Sequence, residues 1–211
     1  MIGIFNSSHS RQALCIVGLL AGCSSLLPKP VPLPTLFALE DATPAPTAAR
    51  PAASAASAPT LIVNTPRAAA GYDSTHIVYR RQPNEIEYFA SSQWVDTPAQ
   101  MLAPLMTRAI ERTGAYRAVL RAPSAVAGQL RLDTELVRLQ QEFTTSPSRV
   151  RLTLHAVLVD TTTRRVIAWR EVDATVNATS DDPAGGVAAT QQAVQRVLAE
   201  LAAFCAEAAR P

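Results

Sequence analysis

Lysine is almost missing from this chain of 211 residues: Lys29 is the only one, against 18 arginines. Aromatic residues make up 5% of the chain, and 19 basic and 17 acidic side chains leave a formal net charge of +2. Such a balanced charge argues against a polybasic nucleic-acid-binding face and against an acidic tail. Because Lys29 lies in a proline-rich stretch, the folded part has no phosphate-loop lysine, which excludes nucleotide hydrolysis by the chain.

The sequence also lacks the motifs that carry catalysis or metal binding. It contains no Gly-x-Ser-x-Gly, no Cys-x-x-Cys and no His-Glu-x-x-His. Beyond the N-terminal region the histidines are His76 and His155, far apart in sequence and without a third ligand nearby. Asp181 and Asp182 precede a proline, as helix-capping residues do. We therefore expect a protein that is not an enzyme, with no catalytic residue, no metal site and no cofactor.

An export signal is the first feature that is present. Arg11 precedes a short apolar run at residues 13–20, and no acidic residue occurs before Glu40. A run this short, followed by small residues, is typical of a secretory signal and not of a membrane span. We predict a signal peptide over residues 1–22.

The end of this signal matches the bacterial lipobox, since residues 20–23 read Leu-Ala-Gly-Cys. The match predicts that Cys23 becomes the first mature residue and carries covalent lipid, whose several acyl chains give a stable membrane anchor. Ser24 favours the outer membrane, because lipoproteins held at the inner membrane often have aspartate there. Cys15 is lost with the signal, so Cys205 is left without a disulfide partner and is expected to be a buried, small apolar residue.

Two segments of different character follow the cysteine. Nine of the 16 prolines lie between residues 28 and 66, and residues 41–59 are almost entirely Ala, Pro, Thr and Ser. This composition buries too little surface to offset its ordering entropy, which predicts a flexible insertion. Upstream, residues 35–40 form an apolar island. They are either a hydrophobic patch in a long tether, or the first strand of a domain over residues 35–211 that leaves 23–34 as the tether.

From residue 60 onward, hydrophobic periodicity predicts one domain of mixed structure. A helix begins at Thr97 with Pro98 in its first turn and stops at Gly114, and a last helix starts after Asp182. Alternating apolar and polar residues predict three long strands in an antiparallel meander with one solvent-exposed face. Shorter strands are predicted over residues 61–63, 76–80, 85–89 and 116–120. The fold class is α/β (α+β), with an antiparallel or mixed sheet and two helices packed on one face.

The order and spacing of several residues carry a resemblance to a known family. Residues 77–80 read Ile-Val-Tyr-Arg, 85–90 read Glu-x-x-Tyr-Phe-Ala, 94–98 read Trp-x-x-x-Pro, and 101–102 read Met-Leu. This series resembles the ABC-type transport auxiliary lipoprotein family, which includes the PqiC-like lipoproteins. The resemblance extends from residues 37–39, which resemble the family's opening strand, to the final helix, and this chain departs from the pattern in its Ala/Pro-rich insertion.

The resemblance implies an outer-membrane lipoprotein that faces the periplasm. Such a protein works beside an ABC permease, an ATPase and an MCE-domain protein that conducts lipids between the membranes. Candidate partner-binding residues are Tyr79, Arg80, Tyr88 and Trp94. For Tyr88 and Trp94 a second interpretation is open, in which both are core aromatics that cover the helix.

Three functions remain compatible with these observations. The protein is a non-enzymatic adaptor that docks the MCE conduit to the outer membrane, a lipid-binding carrier with its own apolar pocket, or a structural envelope lipoprotein. A homo-oligomer is compatible with each. The alternating strands, each with one polar face, favour a closed core and therefore the adaptor.

Overall fold

The computed structural model describes residues 33–41 and 57–209. The described residues after Leu33 belong to one compact unit, a single domain. Its described elements are nine strands of one sheet and two helices: β1 (Thr35–Phe37), β2 (Thr60–Val63), β3 (Arg67–Ala68), β4 (His76–Arg80), β5 (Glu87–Trp94), α1 (Pro98–Glu111), β6 (Ala118–Arg121), β7 (Leu130–Glu142), β8 (Arg149–Asp160), β9 (Val166–Asn177) and α2 (Pro183–Ala208).

The sheet is organised around the long strand β7. On one side β7 pairs antiparallel with β8, and β8 pairs antiparallel with β9, which confirms the predicted meander. On its other side β7 pairs in succession with β2, β3 and β4, all parallel to it. Strand β6 continues the sheet beyond β2, while β5 and then β1 continue it beyond β4. The sheet is therefore mixed, the second of the two arrangements that the sequence predicts.

One face of the long strands supplies the core. Alternate residues of β7 and β8 are buried as the sequence pattern requires, among them Leu132, Leu136, Leu152, Leu154 and Leu158 at 0% exposure. Both helices pack in the same cluster and contact each other, so they lie on this one face of the sheet. The opposite face is polar, although Thr153 on it is fully buried and donates a hydrogen bond to Asp173.

Both helices begin at the residues that the sequence indicates. Thr97 caps α1, since its side-chain oxygen accepts from the backbone N–H of Gln100 at 3.4 Å. Asp182 caps α2 in the same way, accepting from the N–H of Gly185 at 2.7 Å. Gly114, three residues after the end of α1, has a φ of +67°, a conformation that glycine adopts without strain.

The apolar island at residues 35–40 is a strand and not a stray patch. Strand β1 pairs in parallel with the end of β5, from Thr35 opposite Ser92 to Phe37 opposite Trp94. Beyond it Leu39 is buried in the core cluster. Asp41 forms an ion pair with Arg112 of α1. The segment is thus held by sheet pairing, apolar burial and charge together.

No helix in the described ranges is both long enough and apolar enough to cross a membrane. The predicted signal peptide, Cys23 and residues 42–56 of the predicted insertion lie outside the described residues. The signal, tether and insertion boundaries therefore stay predictions.

Candidate partner-binding surface

Three of the four candidate residues lie at one end of the sheet, where β4 and β5 form a hairpin. Tyr79 and Arg80 end β4 and are half-buried, while Tyr88 on β5 is 44% exposed. The connecting turn contains Asn84 at a φ of 67°, which asparagine tolerates better than most residues. We call the exposed end of this hairpin, formed by Tyr79, Arg80, Arg81, Glu87 and Tyr88, the β4–β5 surface.

A hydrogen-bond network fixes Tyr79 and its neighbours. The Tyr79 hydroxyl donates to the Glu87 carboxylate at 2.9 Å and accepts from the Arg81 guanidinium at 2.9 Å. Arg81 also binds Glu87 directly, with a shortest separation of 2.7 Å between nitrogen and oxygen. Because of this contact the pKa of Glu87 is lowered and that of Arg81 is raised. Both side chains therefore stay charged near neutral pH.

Aromatic packing supports the same end from below. The rings of Tyr79 and Phe89 lie 4.4 Å apart, and the ring of Phe143, just after β7, meets that of Tyr79 edge-on at 5.7 Å. These contacts keep the tyrosine ring from rotating away from the hairpin. The sequence motifs missed Phe143, because its contact with the hairpin depends on β4 pairing with the end of β7.

Arg80 faces a shallow cavity beside the turn. Its Nε donates to the carbonyl oxygen of Glu85 at 3.2 Å. It lines a cavity of about 190 Å³ together with Gln82, Pro83, Glu142 and Thr144. Burial opposes ionisation of Glu142, but hydrogen bonds from Gln140 and Arg149 outweigh it and lower the pKa of this carboxyl. A carboxylate and an arginine thus lie side by side at the open end of the sheet.

Trp94, the fourth candidate, lies in the core and not on the surface. Only 3% of it is exposed. The reason is an irregularity in the hairpin register. Tyr88 pairs with Val78, and regular pairing would place another even-numbered residue of β5 opposite His76, but the residue that pairs with His76 is Gln93. The shift puts Gln93 on the face of Tyr88 and turns Trp94 to the other face. The expectation that Trp94 contacts a partner is therefore corrected: it is a core aromatic.

The exposure of Tyr88 agrees better with an interface role than with a role as a core aromatic. Its ring is accessible and lies 4.8 Å from the ring of His76, a contact that holds the side chain across the strand pair. The roles of Tyr79, Arg80 and Tyr88 in binding a partner stay predictions. Cys23, the predicted lipidation site, lies outside the described residues.

Reactive side chains do not come together in the part of the chain that the structure describes. Over residues 33–41 and 57–209, no three His, Cys, Asp or Glu side chains could hold a metal ion together. Cys205 is fully buried, as expected, and burial raises the pKa of its thiol to about 12. Such a thiol is inert at neutral pH.

Two other cavities bear on lipid binding. One of about 420 Å³ lies on the polar face of the sheet and is lined mainly by polar and charged residues, including Arg67, Asp133, Glu135 and His155. The other, of about 190 Å³, lies between α1 and α2, where Val194 and Leu198 form part of an apolar wall. The second is smaller than the roughly 300–1,000 Å³ of typical small-molecule pockets.

The mixed sheet, the two helices on one face and the fixed hairpin define a single-domain α+β protein with a closed core. The family model of the ABC-type transport auxiliary lipoprotein component matches residues 37–202. The chain belongs to this family. It is therefore a lipoprotein component of an ABC-type transport system, which implies a transporter as partner and membrane anchoring in the cell envelope.

Solved structures are similar to the chain over most of its length. The crystal structure of protein XCC0632 from Xanthomonas campestris, of the DUF330 family, is 26% identical with a TM-score of 0.70, covering 82% of this chain and 96% of that one. A crystal structure described as an uncharacterized protein is 11% identical with a TM-score of 0.61, covering 83% of this chain and 98% of that one. The second likeness concerns the fold alone. No curated protein matches the sequence.

Proposed function

We propose that this protein is a non-enzymatic, periplasm-facing lipoprotein of the outer membrane that docks an MCE-domain conduit of its ABC transporter to that membrane. Membership of the auxiliary family supports the transport role. The lipobox ending in Cys23 supports a lipid anchor, and Ser24 supports sorting to the outer membrane. The lipid on Cys23 is then the one group added to the chain, and it serves attachment and not chemistry.

The observation that carries the docking role is the β4–β5 surface. It presents an arginine and an accessible tyrosine on a hairpin whose side chains are already fixed by hydrogen bonds and ring packing. Tyrosine and arginine are enriched among residues that dominate protein interfaces, since both combine a large contact area with directional polar groups. Fixing them before binding lowers the entropy lost when a partner is bound.

The closed core favours the adaptor over the carrier. Leu61, Leu102 and Leu132 are completely buried within one continuous cluster. The cavity between the helices, at about 190 Å³, is small for a lipid with two acyl chains, and Glu40, Asp41 and Arg112 form part of its lining. A carrier would need the two helices to separate from the sheet, which would expose this cluster to water.

Capture of the MCE-domain protein tests the proposal. We expect Arg80→Ala and Tyr88→Ala each to leave the domain folded and to weaken capture about 30-fold or more, since a true hot spot contributes about 2 kcal/mol or more. Arg121→Ala is the matched control, because Arg121 is an exposed arginine at the end of β6, which lies toward the opposite edge of the sheet from β5. Binding that is equal for all three variants and the parent contradicts the docking role of this surface.

A second measurement distinguishes the carrier. Phospholipid that co-purifies in stoichiometric amount with the chain, in the absence of any capture of the MCE-domain protein, would replace the adaptor by the carrier. If the chain binds neither phospholipid nor the MCE-domain protein, the remaining function is that of a structural envelope lipoprotein.

A further inference from the structure

The turn between β8 and β9 lies at the other end of the sheet from the β4–β5 surface. Leu130, the first residue of β7, pairs with Asp160 before this turn, whereas Glu142, the last, pairs with Arg80. A strand of 13 residues therefore separates the two ends, roughly 40 Å. The turn is held in place, because the Thr161 N–H donates to the carbonyl oxygen of Gln129 at 3.0 Å.

This end exposes large apolar side chains beside arginines. Val166 is 58% exposed, Ile167 is 45% exposed and Trp169 is 67% exposed. Arg164 and Arg165, immediately before them, are also exposed. We call these five residues the β8–β9 tip.

The charge of the tip is positive. The nearby carboxylate, Asp160, accepts hydrogen bonds from the backbone N–H groups of Thr162 and Thr163, both at 2.8 Å, and so serves the turn itself. Arg164 has a φ of 57°, a backbone conformation in which glycine is favoured and an arginine is strained. Glu171, exposed on the same face as Trp169, marks the limit of the tip away from the turn.

We propose that the β8–β9 tip binds a lipid surface that contains acidic headgroups. Arginine side chains bind anionic headgroups, and tryptophan favours the boundary between headgroups and acyl chains, where its apolar ring and polar N–H are both satisfied. This inference goes beyond docking a partner and does not depend on it.

An added strand from a second copy fits the tip less well. Ala168 of β9 pairs with Leu158 of β8, and Val166 pairs with Val159. Ile167 is therefore an extra residue at a bulge. A bulge breaks the regular row of backbone groups that strand addition requires. The apolar side chains of Val166, Ile167 and Trp169 lie at the start of β9, next to the turn, and a deformable lipid surface suits such an exposed end of the sheet.

The predicted anchor permits this contact. Thr35 lies twelve positions after Cys23, an extended reach of roughly 40 Å, which is about the length of β7. With the β8–β9 tip against lipid, the β4–β5 surface faces away from the membrane, where a transporter component can reach it.

The two tryptophans make the test direct. We expect that, when the full lipidated chain is reconstituted into vesicles of phosphatidylcholine with one third phosphatidylglycerol, Trp169 emission shifts to shorter wavelength and brominated acyl chains quench it. Trp94, at 3% exposure, gives an unchanged emission that also reports folding. Trp169→Phe should abolish the shift. Flotation with the vesicles reports the anchor separately, so a failed anchor and a failed tip contact are distinguishable.

Variants test both parts of the contact. Arg164→Gly relieves the strained φ and should preserve the fold; combined with Arg165→Ser it should lower the ratio of inserted to free tip about 25-fold, at about 1 kcal/mol or fivefold per arginine. Ile167→Ser should weaken insertion, whereas the matched control Ile86→Ser, at 43% against 45% exposure, should not.

Three results would overturn the proposal. The first is Trp169 emission that is the same with and without acidic vesicles. The second is an equal shift on pure phosphatidylcholine, which would remove the role of the arginines. The third is a shift that appears without vesicles and grows with protein concentration, which would assign the tip to a second copy of the chain.

Discussion

The two tryptophans of this chain occupy opposite environments, and their truncation should have opposite consequences. Trp94 is 3% exposed and Trp169 is 67% exposed. We expect Trp94→Ala to lower the free energy of unfolding by about 3–5 kcal/mol, because it removes a buried ring and leaves a cavity. Trp169→Ala should change it by about 0.5 kcal/mol or less. Urea denaturation of both variants checks this, and equal losses would mean that Trp94 is not a core residue.

Two buried groups make stability depend on pH in the alkaline range. Burial raises the pKa of the Cys205 thiol from 9.0 to about 12, and burial also raises the pKa of Tyr116 above 10.0. Both groups stay neutral in the fold at pH values where the unfolded chain ionises them. Their stabilisation is therefore complete below about pH 9 and is lost as the pH rises toward the folded pKa values. We expect a loss of about 1.4 kcal/mol per pH unit for each group.

Denaturation of the chain across this range measures the loss; burial also raises the pKa of Tyr72, so this tyrosine contributes to the loss as well. Cys205→Ala should remove the part of the loss that begins near the thiol's unfolded pKa. A free energy of unfolding that stays constant up to about pH 11 would contradict the buried, neutral state of both groups.

At the scale of elements, the start of α2 depends on a glycine, although glycine has a low helix propensity. A Cβ added at Gly185 would lie 2.3 Å from the backbone oxygen of Ser180. Gly185→Ala should therefore destabilise the protein by about 1–3 kcal/mol through overpacking, although alanine is ordinarily about 1 kcal/mol better in a helix. Thermal or urea unfolding measures the change. Ala188→Gly, at an exposed position of the same helix, should lower the free energy of unfolding only by the difference in helix propensity. A Gly185→Ala variant that is more stable than the parent would show that the turn before α2 rearranges at little energetic cost.

The elements themselves could largely be predicted from the chain. Thr97 and Asp182 cap the two helices as expected, and the alternation in β7, β8 and β9 predicts both the meander and its buried face. Local signals suffice here because capping and alternation depend on residues a few positions apart. The status of residues 35–37 stayed open, since a three-residue strand is stable only through the β5 neighbour that it pairs with.

At the scale of the whole molecule, we expect the predicted lipid on Cys23 to decide where the domain works. We expect Cys23→Ser to block lipidation, so that the chain is unprocessed or mislocalised and leaves the outer-membrane fraction after a carbonate wash. Several acyl chains hold a protein stably on a membrane. Ser24→Asp should move the processed protein toward the inner membrane. Outer-membrane retention of Cys23→Ser would overturn the anchor, and unchanged sorting of Ser24→Asp would overturn the choice of membrane.

The sequence by itself determined the class of fold, the starts of both helices, the family and the absence of catalytic motifs. Each depends on a local pattern in the sequence: hydrophobic periodicity, capping residues, or a short series of residues such as the segment from Tyr79 to Trp94. It also placed Arg80 and Tyr88 on one hairpin, because a two-strand unit closes over a short turn.

Only the tertiary structure decided which aromatic side chains a partner or a membrane can reach. Trp94 and Tyr88 lie an even number of residues apart, which predicts the same face, but the register shift in β5 separates them. Phe143 joins the hairpin through a pairing with β7 that spans more than 60 residues of chain. The exposure of Trp169 likewise depends on β9 lying at the edge of the sheet, beside β8 alone among the described strands. Register and edge position are properties of strand pairing between distant residues, so no local pattern encodes them.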